Sequence, residues 1–511
     1  MMNLTTDKWI PVVWEDGRAD KVSLLDVFRQ GDQIRDLAVR PHERIALMRL
    51  LICIAQAALN GPKDRDEWKT CSNRLPQAAA DYLAKWKHAF ELFGDGQRFL
   101  QVHGVGQPIP VELDKLDFID ADMTTLFNQE VTPSRIFADD WIVFRLLTYQ
   151  CFAAGGCCGG SEVIDGKKRP QKGTNGPCRD GSAFHCFLRK RNILFTLHAN
   201  LLTKEQIAMM NPLLWGHPIW EHKSLVIKDI PQNVSMSYLG RLVPVSRSIW
   251  VSSDHKTVLN ANGLNYPSFS SDELRLEPGL TVVLKKRMGK QVRAVLSAKS
   301  AENILHPWRE LHSVLLLNQA GIGGPKMLEN ISEEEVFDLW LGAFITDQAK
   351  VLDGVEFVFT QLNSALVTDQ SVQNRYASGV KLATDWEFRI RHAIELYILS
   401  RETKGEMEEW EISYKKLNKD KREKIRKYAV RALSTFWTSL EANCHILAAS
   451  ARSADMLPWK AILARSARAA YELACPHETP RQLKAYSLGL NILFKPVETE
   501  TNEPATGETE E

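Results

Sequence analysis

Apolar positions along this chain follow two different periods. From about Ser371 onward they recur at helical spacing, and before that they come mostly in short strand-like runs. Asn3 to Phe28 alternates in short apolar runs around Glu15-Asp16-Gly17, the pattern of a hairpin. His42 to Leu59 is apolar nearly all round and predicts a buried helix, and Asp81 to Leu92 predicts a second helix with one apolar face. Thr281 to Ala298 reads as strand, basic turn, strand. Residues 336–359 read as two apolar strands around a polar tip, Thr346 to Lys350. Four amphipathic segments then predict a helical bundle, the second of them running without interruption from Lys424 to Ala451.

The expected fold class is therefore α+β. A large mixed α/β domain over residues 1–365 precedes a C-terminal four-helix bundle over 366–496 and an acidic tail over 497–511. The tail holds six Glu and no Lys or Arg, with few apolar residues to offset the entropy of ordering it, so it is expected to be disordered. It also masks the charge of the rest: the chain is +1 overall, which leaves about +7 outside the tail.

That excess is concentrated. Ser161 to Arg191 has eight Lys/Arg and three Asp/Glu, and reads as a long loop or set of loops following Gly155 to Gly160, GGCCGG. Lys285 to Arg293 has five basic residues and no acid, and Lys415 to Lys427 has eight basic residues and two acidic ones. Each segment alone is compatible with a solvated surface; three together favour a partner rich in phosphate.

Other chemistry is poorly supported. Cys157, Cys158, Cys178, His185 and Cys186 share one region, but no C-x2-C pair occurs among the nine cysteines, and adjacent Cys157-Cys158 suits a tetrahedral site badly. Phosphate-binding glycine loops and the hydrolase and zinc-protease motifs are missing too. Ala320 to Lys326, AGIGGPK, is read as a turn, and Asp254-His255 as a structural pair. Neither enzyme activity, nor a cofactor, nor a bound metal is expected. The opening residues lack the charge and apolar pattern of a secretory signal, and a cytoplasmic protein with reduced thiols is expected.

Several blocks carry a resemblance. NLTTDKWIPV (Asn3 to Val12), RLLICIAQAAL (Arg49 to Leu59) and FLQVHGVGQPIPVELDKL (Phe99 to Leu116) resemble, in that order, stretches of the large subunit of the type I-E CRISPR Cascade complex, the CasA or Cse-one family. The resemblance implies a non-catalytic subunit of a guide-RNA complex. In that family the subunit reads a short protospacer-adjacent motif in double-stranded DNA, helps open the duplex, holds the displaced strand and recruits a helicase-nuclease. Its implied partners are the duplex and displaced strand, that helicase-nuclease, and the guide-RNA complex with its backbone, small and handle-binding subunits. No membrane is involved.

It also implies site residues. Gly155, Gly156, Cys157, Cys158, Gly159 and Gly160 match the family's glycine loop, with two cysteines inserted in it. Lys256, six residues before Asn262, matches a minor-groove lysine, where degenerate readout would relax motif preference. Asp347, Gln348 and Ala349 match a wedge at the motif, with Gln348 inserting; the family usually has Asn where Asp347 stands, and phosphates would repel an Asp. Phe127, Asn128 and Gln129 match a first contact loop, and Lys285 and Lys286 a pair that guides the DNA backbone. The places where some relatives hold a metal with cysteines, near Arg135 to Asp140 and Ser246 to Asp254, have none here. The competing expectation is a helical protein-interaction scaffold without a DNA role; a metal-dependent nuclease is a third, weaker one.

Overall fold

The computed structural model describes residues 2–104, 108–117, 137–164, 167–210, 213–267, 277–287, 289–299, 306–317, 322–347, 350–402 and 419–495. The chain divides into two compact units, Met1–Asp369 and Gln370–Glu511.

The first unit mixes helix and sheet. Its described strands are β1 (Ile10–Trp14), β2 (Ala19–Val22), β3 (Ile34–Leu37), β4 (Ile109–Glu112), β5 (Gly156–Ile164), β6 (Lys167–Gly173), β7 (His185–Arg189), β8 (Arg247–Val251), β9 (Thr257–Asn262), β10 (Val282–Arg287), β11 (Lys290–Val295), β12 (Val336–Asp347) and β13 (Lys350–Asn363). They form three small antiparallel sheets, ordered β2-β1-β3, β4-β9-β8 and β13-β12-β7, and two hairpins, β5-β6 and β10-β11. Small sheets leave many edges, so the core depends on helices packed across them. The main one is Pro41–Leu59, whose side chains are buried from Ile45 to Gln56 on every face. Pro41 opens it where a missing N–H costs nothing, and Asn60 ends it in the left-handed conformation at φ +53°.

This helix carries a buried ion triad. Arg49 Nη1 donates to Glu277 Oε2 at 2.8 Å, and Arg241 Nε donates to Glu277 Oε1 at 2.9 Å. Arg49 and Arg241 also reach backbone carbonyls of Leu242 and Ser235. Burial alone pushes the Glu277 carboxyl up, and the two guanidiniums more than reverse this, holding it below the usual carboxylate range.

The second unit is helical. Its described helices are Gln370–Glu402, Lys419–Ala442, Cys444–Ser453, Leu457–Ala474 and Pro480–Leu493. Gln370–Glu402 packs against the other four, with Trp459 Nε1 donating to Gly379 O at 3.0 Å and Tyr397 facing Tyr428.

Three expectations from the sequence need correction. The segment expected as one helix from Lys424 to Ala451 is two, interrupted at Asn443. The Asn443 side chain donates to Ser439 O at 2.7 Å, a local bond that competes with the helical ladder. The helix expected over Asp81–Leu92 runs instead over Leu75–Lys85 and gives way to a 3-10 turn at Lys87–Phe90. Pro76 fits its first turn, and Phe90 and Leu92 are buried without being in the α-helix. The stretch expected as loops over Ser161–Arg191 holds strands β6 and β7 and the last four residues of β5. An exposed two-stranded hairpin is held by its ladder and needs no apolar alternation, so Gly- and Lys-rich strands left no trace in the pattern.

Candidate nucleic-acid interface

The six residues Gly155–Gly160 do not form a loop: all but Gly155 lie in β5. Gly156 pairs with Gly173 and Cys157 with Lys172, but Ser161 is the next to pair, with Pro170. Cys158, Gly159 and Gly160 therefore face Gln171 alone, a bulge that lifts them out of the ladder and bends the strand. Gly156 has φ +107° and open space where a side chain would stand, so glycine is required there by the backbone and leaves the surface bare. The two inserted cysteines separate: Cys157 is exposed, whereas Cys158 is buried and gives its thiol to Gly156 O at 3.2 Å.

Buried arginines support the base of this hairpin. Arg247, 1% exposed, donates to Thr174 O at 3.0 Å and to Ala154 O, the residues just outside its two strands. Arg179 donates to Phe152 O at 3.0 Å. Burial, then the neighbouring Arg247, lowers the Arg179 guanidinium to about 10, which leaves it charged at neutral pH. Two buried cations thus lie at the base of the glycine hairpin, a favourable field for phosphate.

One short segment, Thr174 to Phe184, ties this hairpin to the other two candidate elements. Gly155 N donates to Asn175 Oδ1 at 2.6 Å, and Asn175 Nδ2 donates to Asp180. Ser182 then receives Thr346 N on its hydroxyl at 3.0 Å, beside the tip of the β12-β13 hairpin. Ala183 bridges Ser297, and Phe184 N donates to Leu296 O at 3.1 Å, just past β11. Under the β10-β11 hairpin, Val282 and Val295 pack with Ala183 and Leu280, which leaves Lys285 and Lys286 exposed on β10.

Lys256 lies apart. It is exposed in the turn between β8 and β9, where Asp254 accepts its backbone N–H at 3.0 Å and His255, at φ +56°, stacks on Phe93. The glycine hairpin meets the opposite end of β9, where Gln171 Oε1 accepts Asn262 N at 2.9 Å. The six residues of β9 place its two ends about 17 Å apart.

At the β12-β13 tip, Asp347 pairs with Lys350 in the ladder and with Lys299 Nζ at 2.9 Å. The sequence reading set Asp347 against phosphate as a bare charge; the structure gives it a cation. Gln348, Ala349, Phe127, Asn128 and Gln129 lie outside the described residues. Among the described residues, no group of three or more His, Cys, Asp or Glu could hold a metal ion, and no helix is long and apolar enough to cross a membrane.

The profile of CRISPR-associated protein Cse1 matches residues 3–475. The chain belongs to the Cse1 family. A curated relative, CRISPR-associated protein CasA/Cse1 of Thermus thermophilus, is 25% identical over 418 residues, covering 76% of each chain. The fold of this Cse1-family chain is similar to the crystal structure of Thermus thermophilus CasA, with a TM-score of 0.72 at 20% identity over 96% of this chain and 98% of that one. It is also similar to a chain of a structure described as a CRISPR RNA-guided surveillance complex, with a TM-score of 0.69 at 17% identity over 96% and 99%.

Reading the sequence missed the residues that join these elements: Asn175, Ser182, Arg247 and Lys299. Only Arg247 left a signal, as a basic residue at an inward position of the apolar strand β8. The others act across 20 to 164 positions of sequence, for which a single chain gives no pattern.

Proposed function

We propose that this Cse1-family chain is the DNA-reading, non-catalytic subunit of a type I-E guide-RNA surveillance complex, working in the cytoplasm in antiviral defence. The observation that carries this is the common anchorage of the glycine hairpin, the basic hairpin and the wedge hairpin on Thr174–Phe184. Three exposed elements with one rigid base can meet one duplex in fixed register.

Each has a physical role. The bare Gly155–Gly160 strand lets backbone approach base edges in the motif, and Lys256 donates to acceptors in the minor groove. Lys285 and Lys286 hold phosphates without reading sequence. Asp347, Gln348 and Ala349 enter beneath the motif, with Gln348 as the wedge. Unstacking there costs on the order of a few kcal/mol, offset by guide pairing and new contacts. Phe127, Asn128 and Gln129 add contacts from the first loop. The guide RNA reads the target sequence, the other subunits hold the guide, and the helicase-nuclease is recruited once the displaced strand is held.

The test is selection from a duplex library randomised beside the target, using the guide complex reconstituted with and without this chain. Motif enrichment should require the chain, and should fall to background when Gly155 and Gly160 are replaced by Val or Lys256 by Ala. Enrichment unchanged without the chain would leave the scaffold reading. A second measurement separates readout from charge. Lys285→Ala with Lys286→Ala should lower the slope of log K against log salt by roughly two, equally for all motifs. A changed motif preference in that variant would count against a pure backbone role.

A further inference from the structure

The Lys299–Asp347 pair has a place in strand opening that the matched residues do not include. The carboxylate is 61% exposed and the ammonium 38%, so the pair sits at the surface and contributes little to folding. Its position is nevertheless fixed from both sides. Thr346 N donates to the Ser182 hydroxyl, and Ala298 N donates to Ser182 O at 2.9 Å, so the neighbours of both charged residues hang on one serine. Lys299 N is held in turn by Ser297 Oγ at 3.1 Å, and Ala298 is fully buried. Lys299 also follows the basic hairpin by only four residues, since β11 ends at Val295. The chain thus delivers one ammonium from the basic hairpin to the acidic shoulder of the wedge.

We infer that Lys299 is a positioning residue for the wedge: it neutralises Asp347 in place, so that an acidic tip can pass between phosphates. This rests on the function proposed above. Asp347 adjoins Gln348, and an uncompensated carboxylate there would repel the strands the tip must separate. Lys350 is its ladder partner across the tip, and Lys299 supplies the cation measured at salt-bridge distance. A lysine that instead left Asp347 to hold phosphate would make the same variant fail for a different reason, and the two can be told apart.

The experiment is strand opening by the reconstituted guide complex on a duplex with motif and target, followed by permanganate reactivity of thymines next to the motif. Lys299→Gln should slow opening roughly tenfold, the scale of a like-charge contact, while motif enrichment in the docked population is kept. Adding Asp347→Asn should restore opening to near the original rate, because no carboxylate remains to be neutralised. Lys299→Arg should behave like the unmodified chain. Opening by Lys299→Gln at the original rate would overturn the inference. So would a double variant as slow as Lys299→Gln, which would make Lys299 a phosphate ligand. If the unmodified chain does not promote opening at all, the proposed function fails first, and that control identifies it.

Discussion

Glu277→Ala should destabilise the first unit by about 3–5 kcal/mol, enough to unfold much of it at 37 °C. Among the described residues, this carboxylate is the only acid that pairs with the buried Arg49 and Arg241, whose side chains are 6% and 1% exposed. Removing it strands two buried guanidiniums with backbone carbonyls as their remaining partners. The loss would be larger than for any exposed pair such as Lys69–Asp66. Urea unfolding should show it directly. Arg241→Met in the Glu277→Ala background should recover part of the loss, because it removes one of the two stranded charges. A loss under about 1 kcal/mol for Glu277→Ala would mean that water or a rearranged partner replaces the carboxylate.

Acid should weaken the same unit in a defined window. His42 and His185 are both lowered to about 4, in each case mainly by burial. For His185 the next cause is Arg49, and for His42 it is Arg40. His185 Nε2 lies 3.2 Å from Cys178 O, so the neutral ring donates from that nitrogen. In the unfolded chain both imidazoles bind protons near pH 6.5. Between that value and about 4 the unfolded state holds more protons, so falling pH favours it. The stability linked to these rings is intact above pH 6.5, is lost on the way down to about pH 4, and changes little below. Each ring accounts for about 3 kcal/mol over the full window. Glu277, held below its usual range, adds a further loss only at lower pH, as the carboxylate takes up its proton. Unfolding free energies at pH 7.5, 5.5 and 4.5 should trace this decline. His185→Gln, which keeps a donor for Cys178 O, should flatten it, and a slope equal to that of the original chain would rule His185 out.

The two predictions concern the scaffold, and the scaffold is what holds the proposed interface. His185 opens β7, the strand beside β12, and Glu277 precedes the turn into β10. Loss of either should release the wedge and basic hairpins before the helical unit is affected. Protease digestion near pH 5 would then cut within Met1–Asp369 first.

Much of the fold was legible because it depends on local period. The Pro41–Leu59 helix, the β1-β2 hairpin, the basic hairpin around Lys285 and the wedge hairpin with its tip at Thr346–Lys350 all show their pattern within about twenty residues. The order of such blocks also carried the family resemblance. The β5-β6 hairpin was not legible, since Gly, Lys and Pro supply no apolar alternation and the ladder alone defines it. The break at Asn443 was hidden for the opposite reason: apolar spacing continues across it, and one side-chain hydrogen bond interrupts the helix.

The sequence by itself determined those elements that carry a local apolar period, where positive charge is concentrated and which family the blocks resemble, because propensity, periodicity and composition act between near neighbours. Only the tertiary structure decided what those elements do together. It set Cys157 outward and Cys158 inward, gave Asp347 a cation from Lys299, and hung three hairpins on Thr174–Phe184. Hydrogen bonds and ion pairs between residues far apart in the chain depend on how the whole core closes, and no local pattern encodes that.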